Sequence, residues 1–364
     1  MSKVRLTGST SGYTEITAPA VGGNNTIVLP SGNGSANQLL KNGATAGTLE
    51  YASVTASGTA LGSVASINNG PLAGMRNAII NGNFDIWQRG TSFTGLEYTA
   101  DRWLLSRNGT THTTSRQSFT LGQTDVPGEP RFFWRCVTSS VAGAGNFLAV
   151  LQSIEGVRTF AGQQVTVSFW AKADASKPIS IELRQAFGTG GSPSAEVTAI
   201  GVTKTTLTTT WQKITATATV PSIAAKTLGS DGNDKLDLII WFDAGSNFNS
   251  RTDTLGQQSG TFDIAQVQVE PGPIATQFER RPIGMELSLC QRYYQTAGIV
   301  LVSNVTGRFP SIMFHSSMRA GPALVLTPSV GTGGALTALG VDGCYQSTNH
   351  SQDAVATIAA SAEL

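Results

Sequence analysis

The chain has only three histidines, His112, His315 and His350, and none stands at an HExxH or comparable spacing. The ligand pattern of a zinc hydrolase is therefore missing. The sequence contains no GxSxG elbow and no P-loop. Gly-Thr-Gly-Gly occurs at 188–191 and again at 331–334, but without the Lys and following helix that a phosphate cradle needs. Asp237 and Asp243 flank Trp241 on one strand and imitate the carboxylate pair that glycosidases hold about 5–10 Å apart. Acids at strand ends are ordinarily solvated or hydrogen-bonded, so hydrolysis is not expected and the chain is read as a non-enzyme. A different chemistry is offered by the loop at 340–353, where Asp342, Tyr345, Gln346, Asn349 and His350 form a polar and aromatic set suited to a hydroxyl-rich ligand.

The elements that must position such groups are strands. Charged residues make up 13% of the 364, about half the share of an ordinary domain, and glycine alone contributes 41. A formal net charge of +1 with no Lys/Arg cluster argues against nucleic acid as a partner. No window approaches 18 apolar residues, so no membrane insertion is expected. The opening MSKVRLTGSTSGYTE has no apolar run, so it does not read as a secretory signal, and synthesis in a reducing cytoplasm is expected. Cys136, Cys290 and Cys344 are widely spaced and odd in number, which suggests isolated buried thiols.

Residues 1–75 carry five charges and few large apolar groups. Two short strands are expected within 14–30, around Ile16 and Ile27–Leu29, with Gly22–Asn25 turning the chain and a further turn at Asn42-Gly43. Such a stretch buries too little by itself to offset backbone ordering, so it is expected to wrap identical copies of itself. Residues 53–75 read as a Gly/Ser/Ala-rich connector.

From 76 to 281 the alternation is clear. VTVSFWAKA (165–173) sets Val165, Val167, Phe169 and Ala171 on one face and Thr166, Ser168, Trp170 and Lys172 on the other. ISIELRQAF aligns Ile179, Ile181, Leu183 and Phe187, WQKITATATVP aligns Ile214, Ala216, Ala218 and Val220, and KLDLIIWFDAG aligns Leu236, Leu238, Ile240 and Phe242. Short strands without a long helical period predict an all-β antiparallel jelly-roll sandwich. One helix is expected over 282–296, opened by Pro282. Its apolar stripe is wide enough to meet a second copy, with Met285, Leu289 and Tyr293 as candidate trimer contacts. Residues 297–364 return to strands and form a small, nearly uncharged β tip.

Several of these segments resemble a family of bacteriophage tail fibre proteins. The resemblance rests on RNAIINGNFDIWQRGTSF (76–93), YTADRWLL (98–105), VTVSFWAKA, and TFDIAQVQVEPGPIATQFERRPIGMELSLCQRYYQ (261–295). It is dense across 76–296, looser across 1–52, where GYTEITAPAVGGNNTIVLPSGNGSANQLLKNG is similar to anchoring segments of cyanophage and marine phage fibres, and weak beyond 320. The middle of such proteins is similar to carbohydrate-binding modules with a jelly-roll fold.

The resemblance implies a homotrimeric virion tail protein with a proximal and a distal end. Residues 1–52, with the 53–75 connector, would anchor it to tail or baseplate proteins. Residues 76–281 would form the sandwich, 282–296 a linking helix, and 297–364 a tip that meets host surface glycan such as lipopolysaccharide. A tail-associated depolymerase and a baseplate protein without host contact are the alternatives. Trp103 and Trp170 lie inside family-defining strands and read as core, which leaves Trp134 and Trp241 as sugar-stacking candidates on the sandwich. Jelly-roll modules also carry structural calcium in some cases, for which Asp85, Asp263 and Glu270 are suitable oxygen donors; no other cofactor is expected. Uncharged binding sites would make attachment nearly independent of salt.

Overall fold

A computed structural model describes residues 3–7, 13–17, 28, 31, 38–42, 49–53, 74–301, 311–330, 336–338, 340–346 and 354–364. The connector read at 53–75 lies almost wholly outside them. The chain divides into two compact units, Met1–Val64 and Ala65–Leu364.

The first unit contains two antiparallel hairpins. Strand β1 (Lys3–Thr7) pairs with β2 (Tyr13–Thr17), Val4 opposite Ile16. Strand β3 (Gln38–Asn42) pairs with β4 (Leu49–Ser53), Leu40 opposite Tyr51. The expected partner of the Ile16 strand was the 27–29 segment across the Gly22–Asn25 turn; the partner is instead the strand upstream, while Val28 accepts a bond from the Leu49 amide. Turn chemistry alone does not choose between an upstream and a downstream partner for this strand.

The second unit is built on two facing antiparallel sheets. Its strands are β5 (Ser92–Phe93), β6 (Leu104–Asn108), β7 (Thr111–Ser118), β8 (Phe132–Ser139), β9 (Phe147–Glu155), β10 (Gln164–Ala173), β11 (Lys177–Ala186), β12 (Val197–Leu207), β13 (Gln212–Thr219), β14 (Lys235–Ala244) and β15 (Gly260–Pro271). The six-stranded sheet runs β13-β10-β15-β8-β7-β5 and the five-stranded sheet β12-β11-β14-β9-β6. Together they form a jelly-roll-like sandwich. The inward sets are those that alternation assigns. Val165, Val167, Phe169 and Ala171 of β10 share one core with Ile179, Ile181 and Leu183 of β11 and with Leu236, Leu238, Ile240 and Phe242 of β14. Trp134 stacks on Phe242 with ring centres 5.6 Å apart, and Phe242 meets Phe262 at 5.0 Å.

Strict alternation breaks in β15. Its FDIAQVQVE stretch places Phe262, Ile264, Val267 and Val269 inward, which a two-residue period alone cannot do. A bulge inserts one residue at Gln266, whose φ is +51°, and the pairing with β10 shifts between Ser168 and Trp170. The extra residue puts Gln268 and Glu270 on the same outward face as Ser168 and Trp170. Gly82 packs against this strand: its carbonyl accepts the Val267 amide, and a Cβ there would sit 2.1 Å from the Val267 oxygen.

After the sandwich, α2 (Ile283–Gln291) follows Pro282, whereas the single turn α1 (Asn249–Thr252) lies between β14 and β15. The helix ends five residues before the expected 296, because β16 (Tyr294–Leu301) claims that segment by pairing with β21 (Ala354–Ser361), Tyr294 opposite Ser361. Tertiary pairing overrides local helical pattern here. The remaining strands are β17 (Ser311–Met313), β18 (Ala323–Val330), β19 (Leu336–Ala338) and β20 (Gly343–Gln346), in sheets ordered β16-β21-β18 and β17-β20-β19. Cys344 and Ile358 form a small core there, bordered by Ile312, Phe314, Leu324 and Leu326. All three cysteines are free and buried. Among the described residues no helix is long and apolar enough to cross a membrane.

His112 on β7 is buried with no hydrogen-bond partner on either ring nitrogen. Desolvation first, and the Arg107 charge second, pull its pKa from 6.5 down to about 4. As pH falls from 6.5 to 4 the unfolded chain takes up this proton before the folded one, so stability declines through that window and levels below it. His112→Leu should flatten the decline relative to wild type, by at most about 1.4 kcal/mol per pH unit in urea titrations. Identical pH slopes in the two proteins would refute this.

Candidate functional site

The sandwich carries an open groove of about 440 Å³ on the outward face of the six-stranded sheet. Its floor is Ser168 and Trp170 of β10, Lys213 of β13 and Gln266 of the β15 bulge; Pro127-Gly128 and Gln277, Phe278 and Arg280 form its sides. The volume falls within the range of small-ligand clefts.

Two side chains on β15 build the second wall. Glu270 is fully buried and accepts bonds from the Thr276 amide (2.8 Å), the Thr276 hydroxyl (2.7 Å) and Gln268 Nε2 (2.8 Å). Gln268 Oε1 accepts the Glu279 amide at 2.8 Å. These bonds fold the Ala-Thr-Gln-Phe-Glu stretch back along its own strand and bring Phe278 to the groove beside Trp170. Lys213 Nζ donates to the Thr276 carbonyl at 3.0 Å, tying β13 to the same loop. On the other side, Gln266 Nε2 donates to the Pro127 carbonyl (2.7 Å) and Arg280 Nη1 to the Gly128 carbonyl (3.2 Å).

The tryptophans separate by what lies against their rings. Trp87 meets Phe93, Trp103 meets Phe84, Trp134 meets Phe242, Trp211 meets Phe119 and Phe133, and Trp241 meets Phe147 and Phe248. Trp170 alone has no aromatic or cationic neighbour at stacking distance among the described residues, and it is half-buried at the groove. The reading of Trp170 as core is therefore corrected: it stands on the outer face that its own alternation assigns.

Of the expected stacking pair, Trp134 is 0% exposed and its indole N–H donates to Thr99 Oγ1 at 3.1 Å. It is a core residue and presents no face to a sugar. Trp241 is 2% exposed on the opposite sheet, beneath Phe147, Phe248 and the Arg251 guanidinium 5.0 Å from its ring centre. Its indole N–H donates to Glu182 at 3.2 Å. A smaller groove of about 120 Å³ lies there, lined in part by Arg184, Arg251 and Phe147, but the Trp241 faces are already covered.

The calcium candidates are not brought together. Asp263 receives a bidentate Arg135 fork (2.7 and 2.8 Å) with Lys172 at 3.7 Å, Glu270 is held as above with Arg76 at 3.2 Å, and Asp85 accepts from Asn83 at 2.8 Å. Asp263 and Glu270 stand seven residues apart on one strand, about 20 Å in extended chain. Among the described residues no cluster of three metal-ligating groups exists. These residues do not fit a calcium site. Asp237 and Asp243 are likewise committed, the first to Arg184 (2.6 Å) and Ser153 (2.6 Å), the second to Thr110, Ser140 and the Gln258 amide.

In the tip, Asp342 accepts from the Ser317 hydroxyl, and Tyr345 and Gln346 lie in β20, with Tyr345 opposite Ser311. Asn349 and His350 lie outside the described residues. On α2, Met285 is 45% exposed and Leu289 half-buried. Tyr293 is not available to a second copy: it is buried within the chain, with the Arg102 guanidinium 3.5 Å above its ring and its hydroxyl donating to Glu155 at 2.9 Å.

Residues 152–228 match a family model described as "Carbohydrate binding domain". That segment contains Ser168, Trp170 and Lys213 of the groove. The match supports carbohydrate binding by the sandwich. No curated protein matches. Among solved structures, the chain is similar to a CBM4 structure at 17% identity, covering 53% of this chain and 98% of that one, with a TM-score of 0.30. It is similar to TmCBM61 in complex with β-1,4-galactotriose at 10% identity, covering 54% and 99%, with a TM-score of 0.27. The enzymatically active domain of tailspike protein 4 of bacteriophage CBA120 is similar at 15% identity, covering 57% of this chain and 24% of that one, with a TM-score of 0.32.

Proposed function

We propose that this chain is a bacteriophage tail fibre protein that adheres to host surface glycan through the Trp170 groove of its sandwich and breaks no bond. The observation that carries the reading is the half-buried Trp170 ring, with no stacking partner among the described residues, at a 440 Å³ groove inside a segment that matches a carbohydrate binding domain. An aromatic face packs on the apolar face of a pyranose, while Gln266, Gln277, Lys213 and Arg280 supply donors and acceptors for hydroxyls. Residues 1–75 anchor the fibre to tail or baseplate proteins, and the working form is a homotrimer in the virion tail. Exposed Ile283 and Met285 on α2 are consistent with a contact between copies. Weak affinity at each groove is multiplied by three copies per fibre. Commitment of Asp237 and Asp243 to structural partners favours adhesion over depolymerisation.

The test uses host cells exposed to the purified chain before phage is added. Phage adsorption should fall in a dose-dependent manner, and no new reducing ends should appear in host polysaccharide. Undiminished adsorption overturns the adhesive role, and reducing ends identify a depolymerase.

A further inference from the structure

The groove has a charge that the sequence-wide balance conceals. Lys213 and Arg280 line it, and none of its lining residues is acidic. Of the acids near it, Glu270 bonds to Arg76 and Thr276 while its charge also acts on Lys213, and Glu279 holds the backbone amides of Met75 and Asn77. Four other cations of the sandwich face acids: Arg135 and Lys172 face Asp263, Arg184 faces Asp237 and Glu196, and Arg251 faces Glu182. Lys213 and Arg280 each give one N–H to a backbone carbonyl, Thr276 and Gly128 respectively. That leaves two donors on the ammonium and four on the guanidinium. Two cations with further donors beside a half-buried indole that no other ring covers among the described residues define a site for a ring that is apolar on one side and anionic at its edge.

We infer, resting on the reading of this groove as a glycan site, that its preferred ligand is an anionic pyranose. The Trp170 ring stacks on the sugar, and Lys213 and Arg280 take its carboxylate or phosphate oxygens. Charge-assisted bonds of this kind are shorter and stronger than neutral ones. Attachment would then weaken with added salt, contrary to the expectation of uncharged sites.

The test follows the Trp170 indole N–H resonance of the full ¹⁵N-labelled chain, assigned with Trp170→Phe. Glucose, galactose and mannose are titrated beside glucuronate, galacturonate and mannuronate, and beside the 6-phosphates of the three neutral sugars. At least one anionic sugar should shift the resonance at a concentration tenfold or more below its neutral parent, and the two anionic arms separate carboxylate from phosphate recognition. The double variant Lys213→Gln/Arg280→Gln should lose that preference while its other indole resonances stay in place. Neutral parents that bind as well as their anionic forms, or a preference that survives in the double variant, overturn the anionic ligand and leave the glycan groove standing. No shift with any sugar of either kind overturns both.

Discussion

Trp170→Ala is expected to lower glycan affinity about thirtyfold while leaving the fold intact. Covering a large aromatic face with the apolar side of a sugar contributes about 2 kcal/mol, and each 1.4 kcal/mol is tenfold in affinity. The stability cost is small because the ring stands on the outward face with no ring packed on it, whereas Trp103, Trp134 and Trp241 fill space between other side chains. Trp134→Ala serves as the contrast: it opens a cavity beside Phe242 and should cost about 3–5 kcal/mol of stability, with no direct effect on the groove. Isothermal titration with host polysaccharide, together with urea unfolding of each variant, separates the two. Unchanged affinity in a folded Trp170→Ala protein removes the groove as the binding site.

Much of the sandwich was legible because burial obeys a two-residue period. Val165 to Ala171, Ile179 to Leu183 and Leu236 to Phe242 alternate as inward sets, and the structure buries all of them. Trp170 carried the same signal, falling on the face of Thr166, Ser168 and Lys172. What hid it was the association of its strand with a recurring motif, which favours the core for any large ring. The other groove residues gave less notice. Gln266 reaches the site because of a bulge, visible only as two successive non-inward residues, Ala265 and Gln266, between Ile264 and Val267. Phe278 and Arg280 reach it because Glu270 and Gln268 fold their own downstream loop back, a pairing with no periodicity to betray it. The calcium candidates show the converse. Suitable donor types were present, but strand register keeps Asp263 and Glu270 apart and gives each a cationic partner.

Loss of Arg102 is expected to cost as much stability as loss of Trp134. It is 1% exposed in the Ala-Asp-Arg-Trp stretch, and its guanidinium pairs with Glu363, donates to the Ser153 carbonyl at 2.6 Å and covers the Tyr293 ring. The chain end is fastened around it. Arg89 reaches Glu363 at 2.9 Å, the Tyr98 hydroxyl donates to the Leu364 carbonyl at 3.1 Å, and the Ala362 amide donates to the Tyr293 carbonyl at 2.7 Å. Arg102→Met keeps volume but leaves a largely buried Glu363 with one cation fewer and the Ser153 carbonyl without its donor. Removing one partner of a buried ion pair costs about 3–5 kcal/mol. For a unit spanning Ala65–Leu364 that corresponds to roughly 5–8 °C in melting temperature. Glu363→Gln should cost less, because Arg102 keeps its bond to Ser153 and its place over Tyr293. The double variant, Arg102→Met with Glu363→Gln, should be more stable than the sum of the single losses, since the uncompensated charge is gone. Strict additivity across this cycle, or an Arg102→Met protein within about 1 kcal/mol of wild type, would mean that the chain end is held by its strand pairing with β16 and β18 and owes nothing to the buried arginine.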